Sequence, residues 1–147
     1  KTFAEEIDLK LKDKVSFYEK NDSGDIVLCP DINNSWKWAG GGYVSTTQDM
    51  AKFIWKVLYT DFLLPETVKE MTKSQKLPDD KKTNYGIGWR IIYDDKNNRY
   101  LGHGGSSIGG KTFVFSSKDK SVISVMANKS KVSFGKLPYQ LINILKN

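Results

Sequence analysis

Histidine and cysteine each occur once in this 147-residue sequence, as His103 and Cys29, and arginine only twice, as Arg90 and Arg99. A single cysteine excludes an internal disulfide, and one residue each of His and Cys argues against a Cys/His metal cluster, so no metal is expected. Cys29 sits in "IVLCPDI", between apolar residues and a proline. A buried structural thiol is the expectation there. No apolar run approaches the ~20 residues of a membrane helix, so the chain should contain no membrane span. The first residue is Lys1 and no signal-peptide pattern follows, which reads as a processed or truncated piece of a longer protein.

The lack of arginine also bears on nucleic acid. The net charge of +6 comes from 23 Lys plus Arg against 17 Asp plus Glu, and the excess is lysine scattered along the chain. Nucleic-acid recognition favours a basic stripe with arginines or interleaved aromatics, so no nucleic-acid partner is expected. Solvated lysine faces are the plainer account, and a negatively charged substrate or cell-wall surface is compatible with the sign. What is present is a folding sequence: 39% hydrophobic residues and four tryptophans suit a single packed unit over residues 1–147, whether a whole domain or a fragment of one.

The period of the apolar residues changes along the chain. "SFYEKNDSGDIVLCP" reads as two short extended pieces joined by a turn at Asn21–Gly24. In "STTQDMAKFIWKVLYT", Ser45 or Thr46 can cap a helix with Asp49 in its first turn. Met50, Phe53, Ile54, Val57 and Leu58 then recur at helical spacing, and the helix should end near Tyr59. Pro65 opens a second, short helix. "NYGIGWRIIYD" alternates like a strand, and "RYLGHGG" follows it after a turn. "KTFVFSS" and "SVISVMAN" then form a hairpin of strong β-formers. The closing helix should present Leu137, Leu141, Ile144 and Leu145 on one face, with Pro138 in its first turn. Trp55 and Trp89 lie in periodic elements and are expected in the core. Trp36 and Trp38 carry no assignable role. Helices, then an antiparallel sheet, then a helix against it, give an α+β fold.

The chemical question centres on "GHGGSSIGG", residues 102–110, which holds the lone histidine and five of the twelve glycines. It does not read as a phosphate loop, because strand-glycine-strand supplies no helix N-terminus for a phosphate, so no nucleotide cofactor is expected. No GxSxG elbow exists for a Ser-His-Asp triad. Two Ser-x-x-Lys pairs occur, Ser117/Lys120 and Ser133/Lys136, and about two are expected by chance. The first spans a hairpin turn. The second contains Gly135 and leaves only a remote self-contained hydrolase, one that would need Ser133 or another local serine bonded to His103. On the residues alone, a Gly-rich edge strand with a half-exposed histidine and a reactive site stay equally open.

Three stretches taken in order, "WKWAGGGYVSTTQDMAKF", "YGIGWR" and "GHGGSSIGG", resemble the C-terminal half of the serine beta-lactamase-like superfamily. It includes class C beta-lactamases, DD-peptidases (penicillin-binding proteins), related esterases and a mitochondrial serine beta-lactamase-like group, which the first stretch resembles most. The pattern covers roughly Trp36 to Asn128, and "KTFAEEIDLK" is similar to the segment after the family's second motif. Members use a Ser-x-x-Lys nucleophile and base, a Tyr-x-Asn or Tyr-x-Ser, and a Lys-Thr-Gly or His-x-Gly strand. Here only the third has a credible copy, His103-Gly104-Gly105. Tyr43-Val44-Ser45 fits the second on paper but falls on the family's helix entry.

The resemblance therefore implies a partial beta-lactamase/transpeptidase-like fold, with three strands of the central sheet, and a chain that is inert by itself. The intact protein would cleave amide or ester bonds through an acyl-enzyme, partnered here by the N-terminal half of the same domain. His103 and the Ser106 backbone N–H would be catalytic, the latter as half of an oxyanion hole. Gly104, Gly105 and Ser107 would bind substrate along the strand edge. The alternative is a non-catalytic binding or filament-forming assembly module with the same fold, and a homo-oligomer is permitted. The implied location is the bacterial cell envelope or the mitochondrion.

Overall fold

The computed structural model describes residues 1–6 and 10–145. Its centre is a four-stranded antiparallel sheet of β5 (Arg90–Tyr93), β6 (Arg99–Ser107), β7 (Gly110–Ser117) and β8 (Val122–Ala127), in that order. Four strands, not three, thus belong to the sheet. Two small pairs accompany it: β1 (Phe3–Ala4) with β4 (Tyr43–Val44), and the hairpin of β2 (Tyr18–Lys20) and β3 (Ile26–Leu28). The described α-helices are α1 (Thr47–Tyr59), α2 (Pro65–Met71) and α3 (Leu137–Ile144), and a short 3-10 turn spans Trp38–Gly40. The α+β reading is correct.

Local chemistry explains most boundaries. Thr46, in extended conformation, accepts the Asp49 N–H through its hydroxyl at 3.1 Å and starts α1. Pro65 occupies the first turn of α2, where its missing N–H costs no helical bond. The β2–β3 turn closes with Asn21 Oδ1 accepting the Asp25 N–H at 2.8 Å and Gly24 at φ +89°. In the β5–β6 turn, Asp94 Oδ1 accepts the N–H groups of Lys96 and Asn98 at 2.9 and 2.8 Å, while Asn97 takes the left-handed conformation.

Successive side chains of a strand face opposite ways, so the sheet has two distinct cores. On one face Ile54 and Val57 of α1 meet Val114 and Trp89, with Leu101 and Val122 packed around them. On the other, Ile142 of α3 meets Tyr100 and Phe115, with Ile92, Phe113, Ile123 and Tyr139 alongside. The Tyr59 hydroxyl hydrogen-bonds with Ser116 Oγ and donates to the Ser117 carbonyl. The end of α1 is thereby fastened to β7.

Three expectations need correction. The alternating run from Asn84 to Asp94 is a strand only from Arg90. Before it the chain folds back through Gly86 and Gly88, with Gly86 N–H donating to the Trp89 carbonyl at 2.7 Å and Gly88 at φ +74°. Glycine is needed at position 86, where a Cβ would lie 2.1 Å from the Met71 carbonyl oxygen. Second, α3 turns a different face to the sheet. Pro138 and Ile142 are buried, whereas Leu137, Ile144 and Leu145 are exposed. Third, Trp89 is core but Trp55 is 47% exposed, because α1 meets the sheet through Ile54 and Val57.

Candidate functional site

The two halves of β6 have different neighbours. Arg99–Gly102 pairs with β5 on one side, and Tyr100–Ser107 pairs with β7 on the other. From His103 to Ser107 no strand lies on the β5 side among the described residues. The five residues singled out in the sequence, His103, Gly104, Gly105, Ser106 and Ser107, are those that line this open edge.

Their side chains divide between the faces. His103 lies opposite Val114 and so shares the α1 face, while Gly104 lies opposite Phe113 on the α3 face. By alternation Gly105 and Ser107 follow His103, and Ser106 follows Gly104. The Ser106 hydroxyl therefore does not share a face with the imidazole, and what Ser106 can bring to the edge is its backbone. β6 then turns into β7 through Ile108 and Gly109, the latter at φ +72°. A Cβ on Gly109 would lie 2.4 Å from Phe17 Cβ and 2.9 Å from Cys29 Sγ. Its N–H donates to Ser130 Oγ at 2.6 Å.

His103 is half-buried at the rim of an apolar pocket of about 410 Å³. Phe53, Ile54, Phe62, Ile87 and Trp89 supply much of its wall, and Gly102, His103 and Val114 supply the sheet side. Both ring nitrogens are engaged. Nδ1 lies 2.7 Å from the Gly104 carbonyl oxygen, and Nε2 is hydrogen-bonded to the Tyr85 hydroxyl. The rings of Tyr85 and His103 meet edge to face, with centroids 5.7 Å apart.

Sequence reading had passed over Tyr85 as one position of an alternating strand. The signal that could have marked it is the pair of glycines, Gly86 and Gly88, which turns the chain back towards the sheet.

The rival nucleophiles lose their partners. No serine hydroxyl is bonded to the imidazole among the described residues. Lys136, the base in the second Ser-x-x-Lys pair, is ion-paired with Asp95 at 2.7 Å. That hydrogen bond and charge raise its pKa, opposite to what a general base needs. Ser117 is buried and bonded to Asp119. Cys29 is buried, and burial, with Glu19 adding to it, pushes its thiol pKa up, as suits an inert structural cysteine. Among the described residues no group of three or more His, Cys, Asp or Glu side chains is placed to hold a metal ion. No described helix is long and apolar enough to cross a membrane.

Comparison with known proteins gives this geometry a context. The family model "Beta-lactamase" matches residues 10–145. The human serine beta-lactamase-like protein LACTB, named as mitochondrial, is 28% identical over 138 residues, an alignment covering 77% of this chain and 25% of the relative. The chain thus spans about a quarter of the length of the curated relatives it matches. Among solved structures, the octameric penicillin-binding protein homologue from Pyrococcus abyssi superposes with a TM-score of 0.70 at 23% identity, covering 92% of this chain and 32% of that one. The D-amino acid amidase from Ochrobactrum anthropi SV3 superposes with a TM-score of 0.68 at 19% identity, covering 99% of this chain and 48% of that one. Sheet, flanking helices and sequence pattern agree: this chain belongs to the beta-lactamase family and carries part of the beta-lactamase/penicillin-binding-protein fold.

Proposed function

We propose that residues 1–147 are the C-terminal part of a beta-lactamase-like domain and form one wall of an acyl-transfer cleft for amide or ester substrates. The observation that carries this reading is the open edge of β6 from His103 to Ser107, beside the apolar pocket. An amide substrate can add to such an edge as a short strand, through main-chain hydrogen bonds. The Ser106 N–H supplies one donor to the oxyanion of a tetrahedral intermediate. Gly104, Gly105 and Ser107 let the substrate approach the edge closely. His103 forms the side of the cleft facing the pocket. The serine nucleophile and its lysine come from the N-terminal half of the same domain.

Surface area supports that partner. A compact monomer of this mass exposes about 7,600 Å². This chain exposes 10593 Å², an excess of about 3,000 Å² over that scaling. The excess is more than the roughly 800 Å² that a standard interface takes from one partner. Phe53, Phe62 and Ile87, which line the pocket, are each more than half exposed, as residues awaiting cover would be.

The test is covalent labelling with a fluorescent penicillin or an activated ester. The 147-residue chain alone should not label, whereas a longer protein carrying an upstream Ser-x-x-Lys should label stoichiometrically. Labelling of the chain alone would sink the proposal. In the longer protein, His103→Ala should lower turnover more than melting temperature.

The same uncovered surface favours a second reading, a non-catalytic assembly module, and the Pyrococcus homologue is described as octameric. An upstream sequence without Ser-x-x-Lys and Tyr-x-Asn would select that reading.

A further inference from the structure

The lone histidine is held in one orientation and one protonation pattern by a residue from outside its strand. A carbonyl oxygen can only accept, so the 2.7 Å contact of Nδ1 with the Gly104 carbonyl places a proton on Nδ1. In the neutral ring Nε2 is then an acceptor, and the Tyr85 hydroxyl must donate to it. A neutral imidazole free of partners favours the opposite tautomer, with its proton on Nε2, so this arrangement needs both contacts.

Tyr85 is itself fixed. Its carbonyl accepts the Gln75 N–H at 2.8 Å, and its N–H donates to Thr83 Oγ1 at 3.1 Å. The next residue, Gly86, donates to the Trp89 carbonyl and closes the turn that leads into β5. A phenol held at both backbone ends, with its ring against the imidazole edge, is built to set the neighbour's geometry.

We infer that Tyr85 is a positioning residue that locks His103 as the Nδ1–H tautomer and so gives the open edge an acceptor instead of a donor. The ring's one N–H is committed to its own strand, and Nε2 is covered by the phenol. The Tyr85 oxygen keeps its lone pairs, and donation to the imidazole makes it a stronger acceptor. The pair therefore suits the N–H of an amide substrate at this point of the cleft. This substrate preference rests on the function proposed above. The tautomer does not.

The chain's single histidine makes the test direct, because long-range proton–nitrogen spectra of the 15N-labelled protein contain one imidazole. At a pH of about 8.5, where an ordinary imidazole is neutral, wild type should show a protonated, pyrrole-type Nδ1 and an unprotonated, pyridine-type Nε2. Tyr85→Phe keeps the ring contact, loses the hydroxyl, and should move the population towards Nε2–H. An Nε2–H majority in wild type overturns the inference, and that measurement stands even if the variant folds poorly. A tautomer unchanged in a folded Tyr85→Phe also overturns it. In a protein that acylates, Tyr85→Phe should lower kcat/KM for amide substrates roughly tenfold, and histidine-tautomer and kinetic effects should appear together. If the tautomer holds and no protein containing this chain acylates, the proposed function fails and the Tyr85 assignment stands. If acylation occurs and the tautomer is Nε2–H, only the Tyr85 assignment fails.

Discussion

Within one strand, the half of β6 from Arg99 to Gly102 and the half from His103 to Ser107 are built by opposite rules. The first half lies between two strands and contains Tyr100, which is fully buried. There a Cβ on Gly102 would lie 2.0 Å from the Val114 carbonyl oxygen and 2.7 Å from Phe115 Cα. The second half is paired on one side only, and its small side chains meet little. A Cβ on Gly105 would touch only Thr112 Oγ1, at 3.4 Å. Glycine in the first half is a packing requirement, and glycine in the second leaves an edge accessible. Rigid and open segments joined in one strand give a site a fixed base.

Several measurements bear on that contrast. The largest effect should come from Phe115→Ala, which empties the core beneath the inner half. A loss of about 4 kcal/mol in chemical denaturation is expected, and a loss under about 1 kcal/mol would show that the inner half is not the base of the fold. Gly102→Ala should cost about 3 kcal/mol by overpacking against Val114 and Phe115 of β7. The same substitution at Gly105 should shift stability by no more than about 0.5 kcal/mol, while in an acylating protein it should raise KM for amide substrates. Equal costs at the two glycines would erase the distinction between the halves.

The smallest effect concerns acid. Asp94 closes the turn into the inner half, and hydrogen bonds lower its pKa to about 2. The Asn98 side chain contributes most, followed by the Asn98 N–H, the Tyr100 hydroxyl and the Lys96 N–H. A carboxyl depressed in the folded state stabilises fully above its unfolded value and loses that contribution as pH falls towards the folded one. Stability should therefore decline between about pH 4 and pH 2, and Asp94→Asn should flatten this part of the profile. The outer half holds no such carboxylate. Its labelling competence in the longer protein, measured after return to neutral pH, should not change with that substitution.

The sequence made elements legible where local chemistry decides them. Thr46 and the stripe through Ile54 and Val57 give α1, and the alternation of Phe113, Phe115 and Ile123 gives the β7–β8 hairpin. Orientation was less legible. Helical spacing in α3 offers more than one apolar face, and only the sheet selects Ile142 over Ile144. Trp55 looks like core by type, yet it lies off the line by which α1 meets Val114. The candidate site was readable to the extent that the open edge runs along consecutive residues, His103 to Ser107. Tyr85 was not, because its contact with His103 depends on the fold-back at Gly86 and Gly88 and on the register of β5 against β6.

One brace has a consequence in time. The tip of the β6–β7 hairpin rests on Phe17 and Cys29 at Gly109, and the strand end beyond β8 is tied to the same arm. Asn128 Nδ2 donates to the Ser16 carbonyl, Tyr18 N–H to the Asn128 carbonyl, and Ser130 N–H to the Tyr18 carbonyl. These contacts join residues 80 or more positions apart, and such closures come late and slowly in folding. On a ribosome the arm emerges well before the strands it braces and must wait for them. The open edge of β6 is thus among the last surfaces to take its final shape, and an arm captured elsewhere meanwhile would leave the sheet formed and its tip unsupported.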